Sequence, residues 1–217
     1  MIDPKDYMNE REQVAQTMVR LFNRGLTTVS GGNISLRINE DLFCITPSAL
    51  DKGNLTSEQI AVVGIDGTNH TPEFKLSIES EIHRLILINR PDINAVVHSH
   101  PIYASTFSCV DSIESAINMK LTAESYYFSP ELVNVPYALM GTKELAIKVS
   151  EAGRTHDLML MQNHGAIALA PTMLKAFDKM DLLERAAQMT VIEQQLNSHG
   201  IATKSLSDEQ CSELSSM

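Results

Sequence analysis

Apolar positions recur every three to four residues near the start of the chain and then switch to strict alternation, and that switch separates helices from strands. Between Asp6 and Arg24, Val14, Met18, Leu21 and Phe22 fall at i, i+4, i+7 and i+8, and Gly25 follows. This predicts an amphipathic helix with a glycine stop. From Asn33 to Ile38, Ile34, Leu36 and Ile38 alternate with Ser35 and Arg37, a strand pattern. Leu42–Ile45 and Ile60–Ile65 are two further short apolar runs, the second closed by Asp66-Gly67 as a hairpin turn.

Farther along, Ile78, Ile82, Leu85 and Ile86 form a helical stripe over Ser77–Asn89, and Pro91 ends it. A strand is expected over Asn94–Ser99, then a helix from about Pro101 to Cys109 with proline in its first turn. Val110–Pro136 has no period that assigns elements. Thr142–Ala152 reads as a helix, Leu158–Gln162 and Ala166–Ala170 as strands. Pro171-Thr172 opens a long helix to about Asn197 with Leu174, Phe177, Leu183, Ala187 and Val191 on one face. Ser198–Met217 reads either as a mobile tail or as a short helix capped by Ser207 and Gln210. The alternation without a strict βαβ repeat predicts an α/β fold, with a mixed, largely antiparallel sheet covered by helices on both faces. One domain is expected over residues 1–197, with 198–217 as its tail.

Composition narrows the function classes. Against 27 Asp and Glu stand 17 Lys and Arg, a formal net charge of −10, and no basic run could follow a phosphate backbone. Nucleic acid is therefore not an expected partner. No apolar run approaches the roughly 20 residues that span a bilayer, and Met1-Ile2-Asp3-Pro4 is not expected to open a signal peptide. A cytoplasmic protein is expected. Cys44, Cys109 and Cys211 are scattered and odd in number, which favours neither a disulfide framework nor a cysteine metal site.

The candidate chemistry lies in the histidines. His98 and His100 occupy i and i+2 at a strand end, on one face and about 6.6 Å apart along the chain, so both rings can reach one ion. His164 follows another apolar strand and precedes Gly165, where a tight turn can aim a third ring. Three histidines with an open fourth position suit zinc or a similar divalent ion; an isolated HxH pair also fits two hydrogen-bonded or exposed rings. His70, His83, His156 and His199 are assigned to surface or supporting roles. Glu79, just behind Ser77, is read in two ways. It completes a helix N-terminus beside its cap, or it is a carboxylate for proton transfer beside a metal-bound substrate; spacing does not separate these. Ser30-Gly31-Gly32-Asn33 and Thr46-Pro47-Ser48 offer backbone and side-chain donors that suit a phosphate, though most such sequences are simply turns.

Together these motifs resemble the class II aldolase/adducin family, and within it the L-fuculose-1-phosphate aldolase branch. The residues that carry the likeness are Ser30–Ser35, Ile45–Ser48, Ser77-Ile78-Glu79 with His83, Arg90–His100, Gly141–Leu145 and Gln162–Gly165. The resemblance implies an α/β/α sandwich in which His98, His100 and His164 bind Zn2+, or another divalent ion such as Mn2+ or Co2+. Glu79 would be the catalytic acid/base, and Gly32, Asn33, Ser48 and Ser77 would hold a substrate phosphate. It implies a lyase acting on a phosphorylated sugar. The enzyme would cleave a ketose 1-phosphate reversibly to dihydroxyacetone phosphate and a short aldehyde through a metal-stabilised enediolate. A homotetramer with active sites at subunit interfaces is expected on the same ground.

The same scaffold also serves methylthioribulose-1-phosphate dehydratases and sugar-acid phosphate decarboxylases, both compatible with this residue set. Sugar-phosphate 4-epimerases usually place Asp where Glu79 stands, and the non-catalytic adducin head lacks the metal ligands. Three departures from the aldolase pattern stand out. Ile78 replaces a second serine, Ala49 replaces a glycine, and Met119 falls near a proton-donating tyrosine, for which Tyr126 or Tyr127 could substitute.

Overall fold

Short apolar runs that pair in one plane account for the centre of the protein, a computed structural model that describes residues 2–110, 117–128 and 131–217. The strands are β1 (Asn33–Arg37), β2 (Leu42–Ile45), β3 (Ala61–Gly64), β4 (Ala95–Ser99), β5 (Val133–Val135), β6 (Leu158–Met161) and β7 (Gly165–Ala170). They form one sheet in the order β3-β2-β1-β4-β7-β6-β5. Every pair is antiparallel except β5 with β6, so the sheet is mixed and largely antiparallel, as expected.

Helices cover both faces. The helices are α1 (Met8–Asn23), α2 (Ser80–Asn89), α3 (Ile102–Phe107), α4 (Ala123–Phe128), α5 (Lys143–Ala152), α6 (Met173–Ser198) and α7 (Asp208–Ser215). On one face Ile34, Leu36, Ala95, Val97, Leu160 and Ala168 pack under α1, α3 and α6. On the other, Phe43, Ile45, Val96, Met159 and Ile167 pack under α2 and α5. Because neighbouring residues of a strand face opposite ways, β1 sends Ile34 and Leu36 to the first core and Asn33, Ser35 and Arg37 to the second. Burying a branched side chain of that size is worth about 1.5–3 kcal/mol, which holds the polar positions against α2 rather than in water. Asn33 and Ser35 are indeed buried.

Several boundaries differ from the sequence reading for identifiable reasons. Ile78 precedes α2 instead of lying on its stripe and is 53% exposed. Leu174 is exposed because the buried stripe of α6 runs through Met173, Ala176, Phe177, Met180, Leu183 and Ala187, one residue out of step with it. β5, only three residues long, falls in the segment where no period could be read. In the C-terminal stretch, Ser207 and Gln210 form the capping box of α7. Cys211 of that helix is buried, and the Leu206 amide donates to Lys120 O at 2.9 Å. Among the described residues, no helix is long and apolar enough to cross a membrane.

Candidate active site

The residues singled out in the sequence converge at one end of the sheet because β1 runs antiparallel to β4 with Asn33 opposite His98. His98 follows the alternation of Val96 and faces α2. Its Nδ1–H donates to Ala166 O at 3.0 Å, which turns Nε2 inward. His164 sits in the tight turn between β6 and β7, where Asn163 adopts φ 57°, a left-handed conformation that asparagine tolerates. His100 follows β4, its backbone N–H held by Leu26 O at 3.0 Å. The three ring centroids lie 4.8, 5.0 and 5.4 Å apart, and one nitrogen from each falls within 4.8 Å of the others.

Glycines make room for this convergence. A Cβ at Gly165 would lie 2.6 Å from both Ser99 O and His100 Cδ2, and one at Gly32 would lie 2.7 Å from His98 O. Ser99 O is backbone and cannot give way. Gly165→Ala is therefore expected to displace the His100 ring and weaken divalent-ion affinity about 10–100-fold, the range seen when ligand orientation is disturbed. Titration against a chelating indicator reads the change, and unaltered affinity would contradict it.

Glu79 closes the cluster. It is 6% exposed, with Oε2 3.3 Å from His98 Nε2 and Oε1 3.2 Å from His164 Nε2. It stands at the residue preceding α2, where its side chain makes no cap hydrogen bond, so its carboxylate serves the histidines and not the helix terminus. Asn33 Nδ2 donates to Oε2 at 2.8 Å, while Oε1 has no hydrogen-bond partner among the described residues. Burial alone would raise the carboxyl pKa, but His98, Asn33 and His164 hold it well below the usual carboxylate range. Burial opposes charge on His98, yet Glu79 raises its pKa. Burial lowers His164, and burial together with the neighbouring His98 and His164 brings His100 down to about 3.

These donors fit a divalent ion. Two imidazole nitrogens bound to one zinc at about 2.0–2.1 Å in tetrahedral geometry lie roughly 3.3 Å apart, and His98 Nε2 and His100 Nε2 are 3.1 Å apart. The buried Oε1 of Glu79 supplies a negative atom beside them that no protein donor satisfies.

Of the four residues expected at a phosphate, Gly32, Asn33 and Ser77 border this cluster. Gly32 precedes β1 and Asn33 begins it. Ser48 follows β2 and its N–H donates to Lys75 O at 2.9 Å. Ser77 precedes Glu79 and accepts from its N–H at 3.3 Å. Ala49 has φ 59°, a conformation that glycine adopts freely, which gives a physical reason for glycine in the related pattern. The structure places the Tyr127–Phe128 pair away from the histidines. Tyr127 packs edge to face on Phe128, and Phe128 lines a cavity with Arg90 and Leu158, at the opposite ends of β4 and β6 from the histidines. Met119 is buried in the core on the α6 face.

Lys52 escaped the sequence reading. It is 2% exposed, its N–H donates to Val29 O and its Nζ to Pro47 O, so it ties together the two loops that carry Gly32 and Ser48. Burial pushes its ammonium down to about 8 from 10.5. Between those values the unfolded chain binds more protons, so stability rises with pH across that window and the full burial cost applies below it. Relative to Lys52→Met, the wild type is expected to gain roughly 2 kcal/mol between about pH 7.5 and pH 10. Urea unfolding of both proteins measures this; a difference independent of pH would contradict it.

The family model described as the Class II Aldolase and Adducin N-terminal domain matches residues 12–191. The chain belongs to this family. Membership supports a lyase, and the aldolase-type fold agrees with solved relatives. The chain is 35% identical over 173 residues to an L-fuculose phosphate aldolase of Methanococcus maripaludis, covering 79% of this chain and 91% of that one. It is 26% identical over 181 residues to a 3-oxo-tetronate 4-phosphate decarboxylase of Haemophilus influenzae, covering 83% and 86%. The crystal structure of L-fuculose-1-phosphate aldolase from Thermus thermophilus superposes with a TM-score of 0.76 at 29% identity, covering 91% and 100%. Class II aldolases are metal-dependent, and the three-histidine cluster of this class II aldolase family member is where an ion could bind.

Proposed function

We propose that this chain is a metal-dependent sugar-phosphate aldolase that reversibly cleaves a ketose 1-phosphate to dihydroxyacetone phosphate and a short aldehyde. The observation that carries the reading is the buried carboxylate of Glu79 against both His98 and His164. His98, His100 and His164 would hold zinc, or manganese or cobalt in its place. A divalent ion there supplies Lewis acidity that offsets negative charge developing on the substrate's carbonyl oxygen.

The chain's own residues do the rest. Glu79, kept ionised, takes a proton from the carbon beside the carbonyl in the synthetic direction and returns it in cleavage. Asn33 has one amide N–H on Glu79 and a second available to a phosphate oxygen. Ser77 Oγ accepts from the Glu79 amide and keeps its own O–H to donate. With Ser48 and the Gly32 backbone these would anchor the phosphate away from the reacting carbon, so that binding energy becomes orientation. A homotetramer with sites at subunit interfaces belongs to the same proposal. Ile78, Leu139 and Met140 are exposed beside Gly141, an apolar rim next to Glu79 that a neighbouring copy would cover.

Supporting the aldolase reading, L-fuculose phosphate aldolases reach 35% identity to this chain and 3-oxo-tetronate 4-phosphate decarboxylases 29%. The second reading, decarboxylation or dehydration of a sugar phosphate, draws on Ile78 and Met119 where aldolases of this branch carry serine and tyrosine. Product identification from a panel of ketose 1-phosphates, methylthioribulose 1-phosphate and sugar-acid phosphates decides between them. Release of dihydroxyacetone phosphate with an aldehyde supports the aldolase; carbon dioxide or water loss without it overturns that reading.

A further inference from the structure

Four polar side chains form a continuous row that ends on Glu79, in the layer between β1 and α2. Ser35 Oγ lies 2.7 Å from His83 Nδ1, His83 Nε2 lies 2.5 Å from Asn33 Oδ1, and Asn33 Nδ2 lies 2.8 Å from Glu79 Oε2. All four residues are buried, Ser35 and His83 completely. A row of this kind is costly unless every member is satisfied, so its donors and acceptors can be worked out one after another.

The assignment starts at the carboxylate. Glu79 Oε2 accepts from the Asn33 amide nitrogen, which leaves Asn33 Oδ1 facing His83 Nε2. Oδ1 only accepts, so His83 Nε2 carries its hydrogen. Full burial keeps the ring neutral, with its pKa down to about 3 through burial first and the nearby His98 second. Nδ1 is then a lone pair, and the Ser35 hydroxyl donates to it. The opposite tautomer would set two lone pairs against each other between His83 and Asn33, leaving buried groups unsatisfied at a cost of about 1–3 kcal/mol.

We propose that His83 is a positioning residue for Glu79, acting through Asn33. Held as the Nε2–H tautomer by Ser35, its ring pins the Asn33 carboxamide with N–H toward the Glu79 carboxylate. Without it, the carboxamide is free to turn over and present Oδ1 to Oε2, which would repel the carboxylate from its place between His98 and His164. Histidine suits the task because a neutral imidazole accepts at one nitrogen and donates at the other from a rigid ring. The pattern explains why β1 places Asn33 and Ser35 on its α2-facing side. The inference rests on the aldolase reading only for the reaction that this positioning serves.

Two readouts test it. Long-range proton–nitrogen correlation spectra of the metal-free protein, labelled with 15N at histidine, are expected to show His83 as the neutral Nε2–H tautomer at pH 7. The Nδ1–H tautomer or an imidazolium would overturn the proposal, whatever reaction the protein catalyses. In the metal-loaded enzyme, deuterium exchange into dihydroxyacetone phosphate is compared for His83→Phe, His83→Gln and Glu79→Gln. His83→Phe is expected to lose about 10²-fold in kcat, while His83→Gln, whose amide can still donate to Asn33 Oδ1, recovers to within about tenfold of wild type. A purely structural histidine would give no such rescue, and a folded His83→Phe with unchanged kcat would overturn the role. Exchange that is lost in Glu79→Gln but unaffected in His83→Phe refutes the positioning role alone. Absence of exchange in the wild type refutes the aldolase reading, and the tautomer still decides the assignment.

Discussion

Glu79→Gln is expected to lower turnover of a ketose 1-phosphate by about 10³-fold while the protein keeps its bound divalent ion, a loss within the range for removal of a positioned acid–base group. Glutamine preserves the shape of the side chain and one acceptor oxygen for Asn33, so the loss isolates the proton acceptor. The carboxylate is suited to that task by its surroundings. Burial would by itself favour the protonated acid, yet His98, the Asn33 amide and His164 hold its pKa well below the usual carboxylate range, and Oε1, without a hydrogen-bond partner among the described residues, lies 3.2 Å from His164 Nε2. Steady-state release of dihydroxyacetone phosphate, with metal content measured on the same sample, checks the prediction. Undiminished turnover would refute the role given to Glu79.

His100→Ala is expected to weaken divalent-ion affinity by about 10³-fold or more and to abolish activity, because it leaves two ring nitrogens where three converge. Stability provides a readout that needs no substrate. An ion at 100 times its dissociation constant stabilises the folded protein by about 2.7 kcal/mol, so the wild type should melt measurably higher with zinc, manganese or cobalt than with a chelator. His100→Ala should lose that increment at the same ion concentration. A melting temperature that responds equally to the ion in both proteins would place the ion elsewhere.

Much of this site was legible in the sequence because its chemistry depends on local periodicity. His98 near the end of β4 and His100 just past it are two residues apart, close enough to reach one ion, and the position of His164 before Gly165 signals a tight turn. Spacing alone left Glu79 divided between helix terminus and proton carrier. In the structure the side chain turns from the α2 amides toward rings on β4 and on the β6–β7 turn, a contact between distant segments that spacing does not show. Ser35 and Lys52 escaped for a related reason, and His83 was read only as a surface or supporting histidine. Ser35 occupies the polar side of an alternating strand, which ordinarily faces water, but in a sheet covered on both faces that side is buried too. Leu174 failed in the opposite sense: an apolar residue one step off the stripe of α6 is rotated by about 100° onto the solvent face.

Hydrogen exchange into dihydroxyacetone phosphate in deuterated water tests the central claim most directly, because it asks for proton removal beside the carbonyl without requiring the aldehyde to be known. The metal-loaded protein is expected to exchange one carbon-bound proton stereospecifically. Chelation, or Glu79→Gln with metal retained, should abolish that exchange. No exchange by protein carrying a stoichiometric divalent ion on His98, His100 and His164 would contradict the account.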